Sequence, residues 1–150
     1  MDNGFTYLHG KKQKKSQLIF EVLGDLDELN VILGLVKAFS SNKINHKISK
    51  LQADLTEIGS FLADLKKVDF QEKIDFLKKE NERLINPSLK KFSQPGINQS
   101  SSFLHLARVV CRRLERKLIA LKKPKNLLML AYFNRLSSYL FWLAKKEEKI

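Results

Sequence analysis

The chain has 150 residues, of which 43% are hydrophobic and 29% charged, with a formal net charge of +12. That balance describes one folded domain with a real core and excludes a disordered or fibrous chain. A lone cysteine, Cys111, excludes an intrachain disulfide and a cysteine-based zinc site.

The charge is unevenly placed. Residues 101 to 150 hold 12 Lys/Arg against 3 Asp/Glu, whereas residues 51 to 100 are balanced at 8 against 8. A basic last third suits a phosphorylated small molecule, nucleic acid or a membrane surface. No apolar run approaches the roughly 18 residues of a membrane span, and the N-terminus lacks a secretory core. A reducing cytoplasm is the expected location.

Residues 1 to about 16 are polar, carry Gly4, Gly10 and a cluster of lysines, and read as a loop or arm. From Gln17 to Phe39, apolar residues recur at helical spacing through Ile19, Val22, Leu26, Leu29, Leu33 and Val36. Gly24 and Gly34 within this helix cost about 1 kcal/mol each and mark close packing against a neighbour or ligand. A second helix runs from after Asn42 to about Lys67, its inner stripe ending at Phe61, Leu62 and Leu65. The third, about Asp69 to Leu84, is heavily charged. An extended loop, Phe92 to Ser102, contains the turn pair Pro95-Gly96. Ser100 to Ser102 offer N-caps for a fourth helix reaching about Leu121, with Phe103, Leu106, Val110, Leu114 and Leu118 inward. A fifth, from Asn126 to about Lys146, is expected to bury Leu127, Leu130, Phe133, Leu136, Leu140, Phe141 and Leu143. Strand alternation of any length is absent, so the fold class is all-α, a five-helix bundle.

The fourth helix carries the informative pattern. Arg108, Arg112 and Arg116 recur every four residues, so they stack on one face over roughly 12 Å. Like charges at that spacing repel, and Glu115 can tether one guanidinium but cannot neutralise the row. A bound anion is expected there. His46 and His105 lack metal-ligand spacing and read as structural or surface residues, and His9 as a solvated loop histidine. Cys111 reads as packing.

Taken in order, Glu21-Val-Leu-Gly-Asp-Leu-Asp-Glu-Leu-Asn30, Phe92-Ser-Gln-Pro-Gly96, Leu104-His-Leu-Ala-Arg-Val-Val-Cys-Arg-Arg-Leu-Glu-Arg116 and Asn134-Arg-Leu-Ser137 resemble the PduO-type ATP:cob(I)alamin adenosyltransferases. The likeness covers residues 2 to about 146. It implies a single domain over 1–150, ferritin-like in its bundle, assembled as a homotrimer with sites between subunits. Cob(I)alamin would attack the 5'-carbon of ATP, with Mg2+ present, and triphosphate would leave. An electron-supplying reductase would be a partner; nucleic acid and membrane would not.

By the same resemblance, Arg112 matches an arginine that pairs with an aspartate, here Asp27, across the subunit boundary. Arg116 matches one that touches ATP phosphates, and Arg108 and Glu115 support the cluster. Asn134 matches a nucleotide contact, Lys15 a lysine near the phosphates, and Phe92 the aromatic that fills the lower face of the corrin and displaces the axial base of cobalt. Of the family's phosphate loop only the tail is present, Asp2-Asn-Gly4-Phe-Thr6. Ile97, Ser138 and Lys145 also depart from the family pattern. Either the chain starts downstream of the family's usual start, or its grip on ATP is weaker. Two alternatives follow: a non-catalytic corrinoid- or nucleotide-binding module of the same fold, and a helical nucleic-acid binder suggested by the basic last third alone.

Overall fold

The computed structural model describes residues 2–89, 94–121 and 126–149. Phe92, named above, lies outside the described residues.

The arm is a small antiparallel hairpin, which corrects its reading as a loop. Strand β1 (Phe5–Leu8) pairs with β2 (Lys11–Lys14), Leu8 opposite Lys11 and Phe5 opposite Lys14. The two linking residues, His9 (φ 54°) and Gly10 (φ 69°), both lie in the left-handed region. That is the geometry of a two-residue turn whose twist matches the flanking strands. Four-residue strands rich in lysine give no hydrophobic alternation, so only the turn could have signalled them.

Five helices follow: α1 (Leu18–Phe39), α2 (Asn45–Leu62), α3 (Phe70–Leu84), α4 (Gln99–Ala120) and α5 (Asn126–Glu147), with single helical turns at Asn42–Ile44 and Pro87–Leu89. In space α1 packs on α2 and α4, and α5 packs on α4 and α3. Their apolar stripes meet in one core containing Leu29, Leu33, Leu51, Ile58, Leu77, Leu114, Tyr132 and Leu140. Each such side chain contributes about 1.5–3 kcal/mol on burial. Gly59 lets Leu26 of α1 approach closely, since a Cβ there would sit 3.3 Å from its Cδ2, and Gly34 faces Gln52. Gly24 has no neighbour within 4 Å of an added Cβ, so the expected close packing there is not found.

Several boundaries differ from expectation. Helix α2 stops at Leu62, not near Lys67, because Asp64 adopts φ 56° and closes the helix: Leu65 N donates to Ser60 O (2.9 Å) and Asp64 N to Phe61 O (3.0 Å). Leu65 therefore falls outside the helix and is 80% exposed instead of completing the inner stripe. The cap of α4 is Asn98, whose side chain accepts from Ser101 N at 2.8 Å, and not one of the serines. Leu106 and Leu127, expected inside, are exposed, while Met129, Tyr132 and Tyr139 are buried.

The charge on α3 is internal wiring. Lys73 is buried and reaches Asp54 of α2 at 2.8 Å and Glu57 at 3.1 Å. Burial alone would push its ammonium pKa down, but Asp54 and Glu57 raise it above the ordinary lysine value. One helical turn pair further on, buried Glu80 accepts from Lys47 (2.6 Å), from the Tyr139 hydroxyl (3.2 Å) and from Arg83 (3.0 Å). Burial opposes its ionisation, yet Lys47, Tyr139 and Arg83 hold its carboxyl below the usual range. A lowered folded-state pKa stabilises the fold above the unfolded value of about 4.3 and is lost as pH falls through the folded value. The urea midpoint should therefore drop on acidification below about pH 4.3, and Glu80→Gln should flatten that acid limb.

Candidate functional site

Two groups of candidate residues emerge, on different parts of the chain. The first is the hairpin. Gly4 (φ 78°) turns the chain so that its carbonyl accepts from Lys15 N at 2.8 Å, and Thr6 sits opposite Gln13. Asp2, Gly4, Thr6 and Lys15 are thereby gathered at the open end of the hairpin. Its closed end is docked: His9 Nε2 lies 3.1 Å from Leu62 O, a carbonyl in the last turn of α2, and 3.2 Å from Asp64 Oδ2. His9 is an anchor and not a free loop histidine.

The second group lies between α4 and α5. A cleft of about 190 Å³ is lined by Arg108, Arg112, Ser137, Ser138, Phe141 and Trp142. Helical spacing produces it, since Arg108 and Arg112 are one turn apart on α4, and Ser137, Ser138 and Phe141 share a face of α5. Asn134 is exposed one turn before those serines, and Ser137 Oγ donates to its carbonyl at 2.9 Å. Arg108 Nε is buried and has no acceptor among the described residues. Arg112 and Arg116 are exposed, and Arg116 does not line the cleft. Glu115 forms no ion pair with either among the described residues, so its expected tethering role is not seen within one chain.

The next residue carries the structural charge that the sequence reading missed. Arg113 donates twice to buried Asp25, from Nε and a terminal nitrogen at 3.2 Å each, and also to Glu28. Lys117 adds ion pairs to Asp25 (3.0 Å) and Glu21 (3.6 Å). Glu21, Asp25 and Glu28 at spacings of four and three face Arg113 and Lys117 at spacing four, which was readable only after knowing that α1 and α4 are neighbours. Asp27, by contrast, is exposed and makes no ion pair among the described residues. Arg112 and Asp27 thus both face outward, and they are not brought together within one chain.

The bottom of the motif helix is pinned by buried groups. His105 Nε2 is 2.9 Å from Glu148 Oε1, Lys145 pairs with Glu148 at 3.1 Å, and Ser100 Oγ donates to Glu147 at 3.0 Å. Cys111 is buried, its thiol donating to Phe133 O at 3.3 Å, and desolvation drives its pKa far above that of a reactive thiol. These residues orient α4 against α5 and leave the arginine face open.

The five-helix bundle is what the resemblance implied; the hairpin and the arginine cleft at the α4/α5 seam are added by the structure. The family model described as cobalamin adenosyltransferase matches residues 1–147.

This chain belongs to the cobalamin adenosyltransferase family.

Among its relatives, a corrinoid adenosyltransferase of Bacillus subtilis is 34% identical over 96% of this chain and 81% of its own length. One from Citrobacter freundii is 36% identical over 98% and 91%. An arginine-to-lysine variant of a PduO-type ATP:co(I)rrinoid adenosyltransferase from Lactobacillus reuteri, complexed with ATP, superposes with a TM-score of 0.89 at 29% identity, covering 99% of this chain and 91% of that one. A phenylalanine-to-alanine variant of an ATP:corrinoid adenosyltransferase from the same organism, complexed with cobalamin and ATP, gives 0.89 at 27% identity, covering 99% and 90%. The family match thus spans the chain from the hairpin to the end of α5. Among the described residues no helix is long and apolar enough to cross a membrane.

Proposed function

We propose that this chain, acting as one domain, transfers the 5'-deoxyadenosyl group of ATP to the cobalt of cob(I)alamin, giving adenosylcobalamin and triphosphate. The observation that carries the reading is the α4/α5 cleft: two arginines on one face, one with a buried N–H that lacks an acceptor among the described residues, beside two serines and two aromatic rings. Such a donor set suits a polyphosphate joined to a flat organic group.

The electron balance assigns the protein a modest chemical task. The cobalt lone pair forms the bond to C5', the C5'–O bond breaks, and the electrons leave with triphosphate, so no side chain needs to act as acid or base. Guanidinium groups that neutralise the leaving triphosphate stabilise the transition state, and the cleft holds the two reactants in line. Arg108, Arg112 and Arg116 take this role, with Asn134 on the nucleoside and Asp2, Gly4, Thr6 and Lys15 on the phosphates. Glu115 supports the row. Among the described residues no group of three or more His, Cys, Asp or Glu is arranged to hold a metal ion, so Mg2+ would enter on the nucleotide.

Phe92 is assigned the lower face of the corrin. Support comes from spacing: the phenylalanine and arginine replaced in the Lactobacillus reuteri complexes are 20 positions apart, as Phe92 and Arg112 are here. The assembly is a homotrimer in this reading. Exposed Val31 and Leu35 of α1 and exposed Leu106 and Val109 of α4 offer an apolar face, with Asp27 and Arg112, which make no ion pair among the described residues, available to pair across it. A reductase supplying cob(I)alamin and a cytoplasmic setting complete the proposal.

Mixing the protein with ATP, Mg2+ and chemically reduced cobalamin should give the spectral change of cobalt alkylation and release triphosphate. Binding of cobalamin without that change would leave only a non-catalytic module.

A further inference from the structure

A second cleft, of about 380 Å³, opens between the end of α3 and the end of α5, outside the arginine seam. Its cations are Arg83, Lys146 and Lys149, its apolar wall includes Ile85 and Pro87, and no acidic side chain lines it among the described residues. Among the described residues the two clefts share Trp142.

That sharing follows from helix geometry. Ser138, Trp142 and Lys146 recur every four residues, so one stripe of α5 runs from the first cleft into the second over about 12 Å, and Lys149 follows just beyond the end of the helix. At one end the stripe faces Arg108 and Arg112; at the other it ends in two exposed lysines that make no ion pair among the described residues. Arg83 is anchored through one terminal nitrogen to buried Glu80, yet its side chain remains 70% exposed, which leaves further donors free to turn toward the cleft. Lys146 and Lys149 beside Arg83, with no carboxylate among the described residues that line the cleft, repel one another unless an anion joins them.

We infer that this second cleft receives the phosphodiester of the nucleotide tail that a complete corrinoid carries below its ring. The inference rests on the adenosyl-transfer reading and deepens it by naming what distinguishes one corrinoid from another. The triphosphate of ATP has the same phosphate chemistry, but it is already matched by the arginine seam. A corrinoid lying along the α5 stripe presents its ring near Trp142 and its tail to Lys146, Lys149 and Arg83. Ile85 and Pro87 then cover apolar parts of that tail. Corrinoids that lack the nucleotide tail lose this contact and keep the rest.

Trp142 is the chain's single tryptophan, so its fluorescence reports occupancy of either cleft without any turnover. The test is to titrate the full chain and its Lys146→Gln/Lys149→Gln variant with cobalamin and with cobinamide, which has no nucleotide tail. The unaltered protein should bind cobalamin about tenfold more tightly than cobinamide, the size of one charge-assisted hydrogen bond. The variant should lose that preference while its affinity for cobinamide and its KM for ATP stay the same. Equal affinity for the two corrinoids in the unaltered protein, or equal weakening of both in the variant, overturns the inference. So does a loss confined to ATP, which would make the cleft a triphosphate site. A protein that adenosylates both corrinoids without preference defeats this inference alone; one that adenosylates neither defeats the reading beneath it.

Discussion

Alanine in place of Arg112 is expected to lower kcat/KM for ATP by about a hundredfold or more, the usual loss when a preorganised donor to developing charge is removed. The far-UV spectrum should not change, because the side chain is exposed and makes no ion pair within one chain among the described residues. Arg112→Lys should recover part of the activity, since an ammonium keeps the charge but not the planar fork that can hold two phosphate oxygens at once. Steady-state rates with ATP varied at saturating reduced cobalamin decide the matter. Activity within threefold of the parent would remove Arg112 from the machinery.

The specificity of that expectation comes from the contrast with its neighbour. Arg113 is equally basic and adjacent in sequence, yet its guanidinium is committed to Asp25 and Glu28 of α1. The Asp25 and Glu28 bonds hold its charge more firmly, raising its pKa further above an ordinary arginine. One helix thus separates its cations by face: positions 113 and 117 lock α4 to α1, and positions 108 and 112 look into the seam with α5. A rotation of 100° per residue makes this separation unavoidable once the apolar face is fixed.

The same rotation explains what could be read before the fold was known. The period of Leu114, Leu118 and Val110 located the buried face of α4, and the arginine row followed from it as a surface feature. What lies opposite each face did not follow, because the sequence order of helices does not state which ones touch. The pairing of Asp25 with Arg113 spans 88 positions. Boundaries failed where a local backbone device overrode composition: Asp64 closing α2 in the left-handed region, Asn98 capping α4 ahead of the three serines, and His9-Gly10 folding a lysine-rich arm into a hairpin. Leu65 and Leu127 were misplaced for one reason. Hydrophobic periodicity assigns every leucine near a helix end to its stripe, and helix ends are where the stripe stops.

Asp54 is where the fold should be most fragile. Its carboxylate is buried between α2 and α3, accepting from Lys73 at 2.8 Å and lying 3.4 Å from Lys50, and Lys73 itself is only 5% exposed. Asp54→Ala leaves that ammonium with Glu57 alone, a partner whose side chain is 38% exposed. Removing one member of a buried pair strands the other, so the substitution should cost about 3–5 kcal/mol. Urea unfolding would record it as a lower midpoint with an unchanged slope. The paired replacement Asp54→Leu/Lys73→Met should recover most of the loss, because it removes both desolvated charges and fills the space with carbon. If the double variant is no more stable than Asp54→Ala, the pair is not acting as a unit, and the charge of α3 would need a different explanation. If it recovers, Lys73, one of the charges that made this helix stand out, is confirmed as a means of its attachment to α2, with Tyr132 packed beside Asp54 and its phenol pKa pushed well above the ordinary value first by burial and then by that carboxylate.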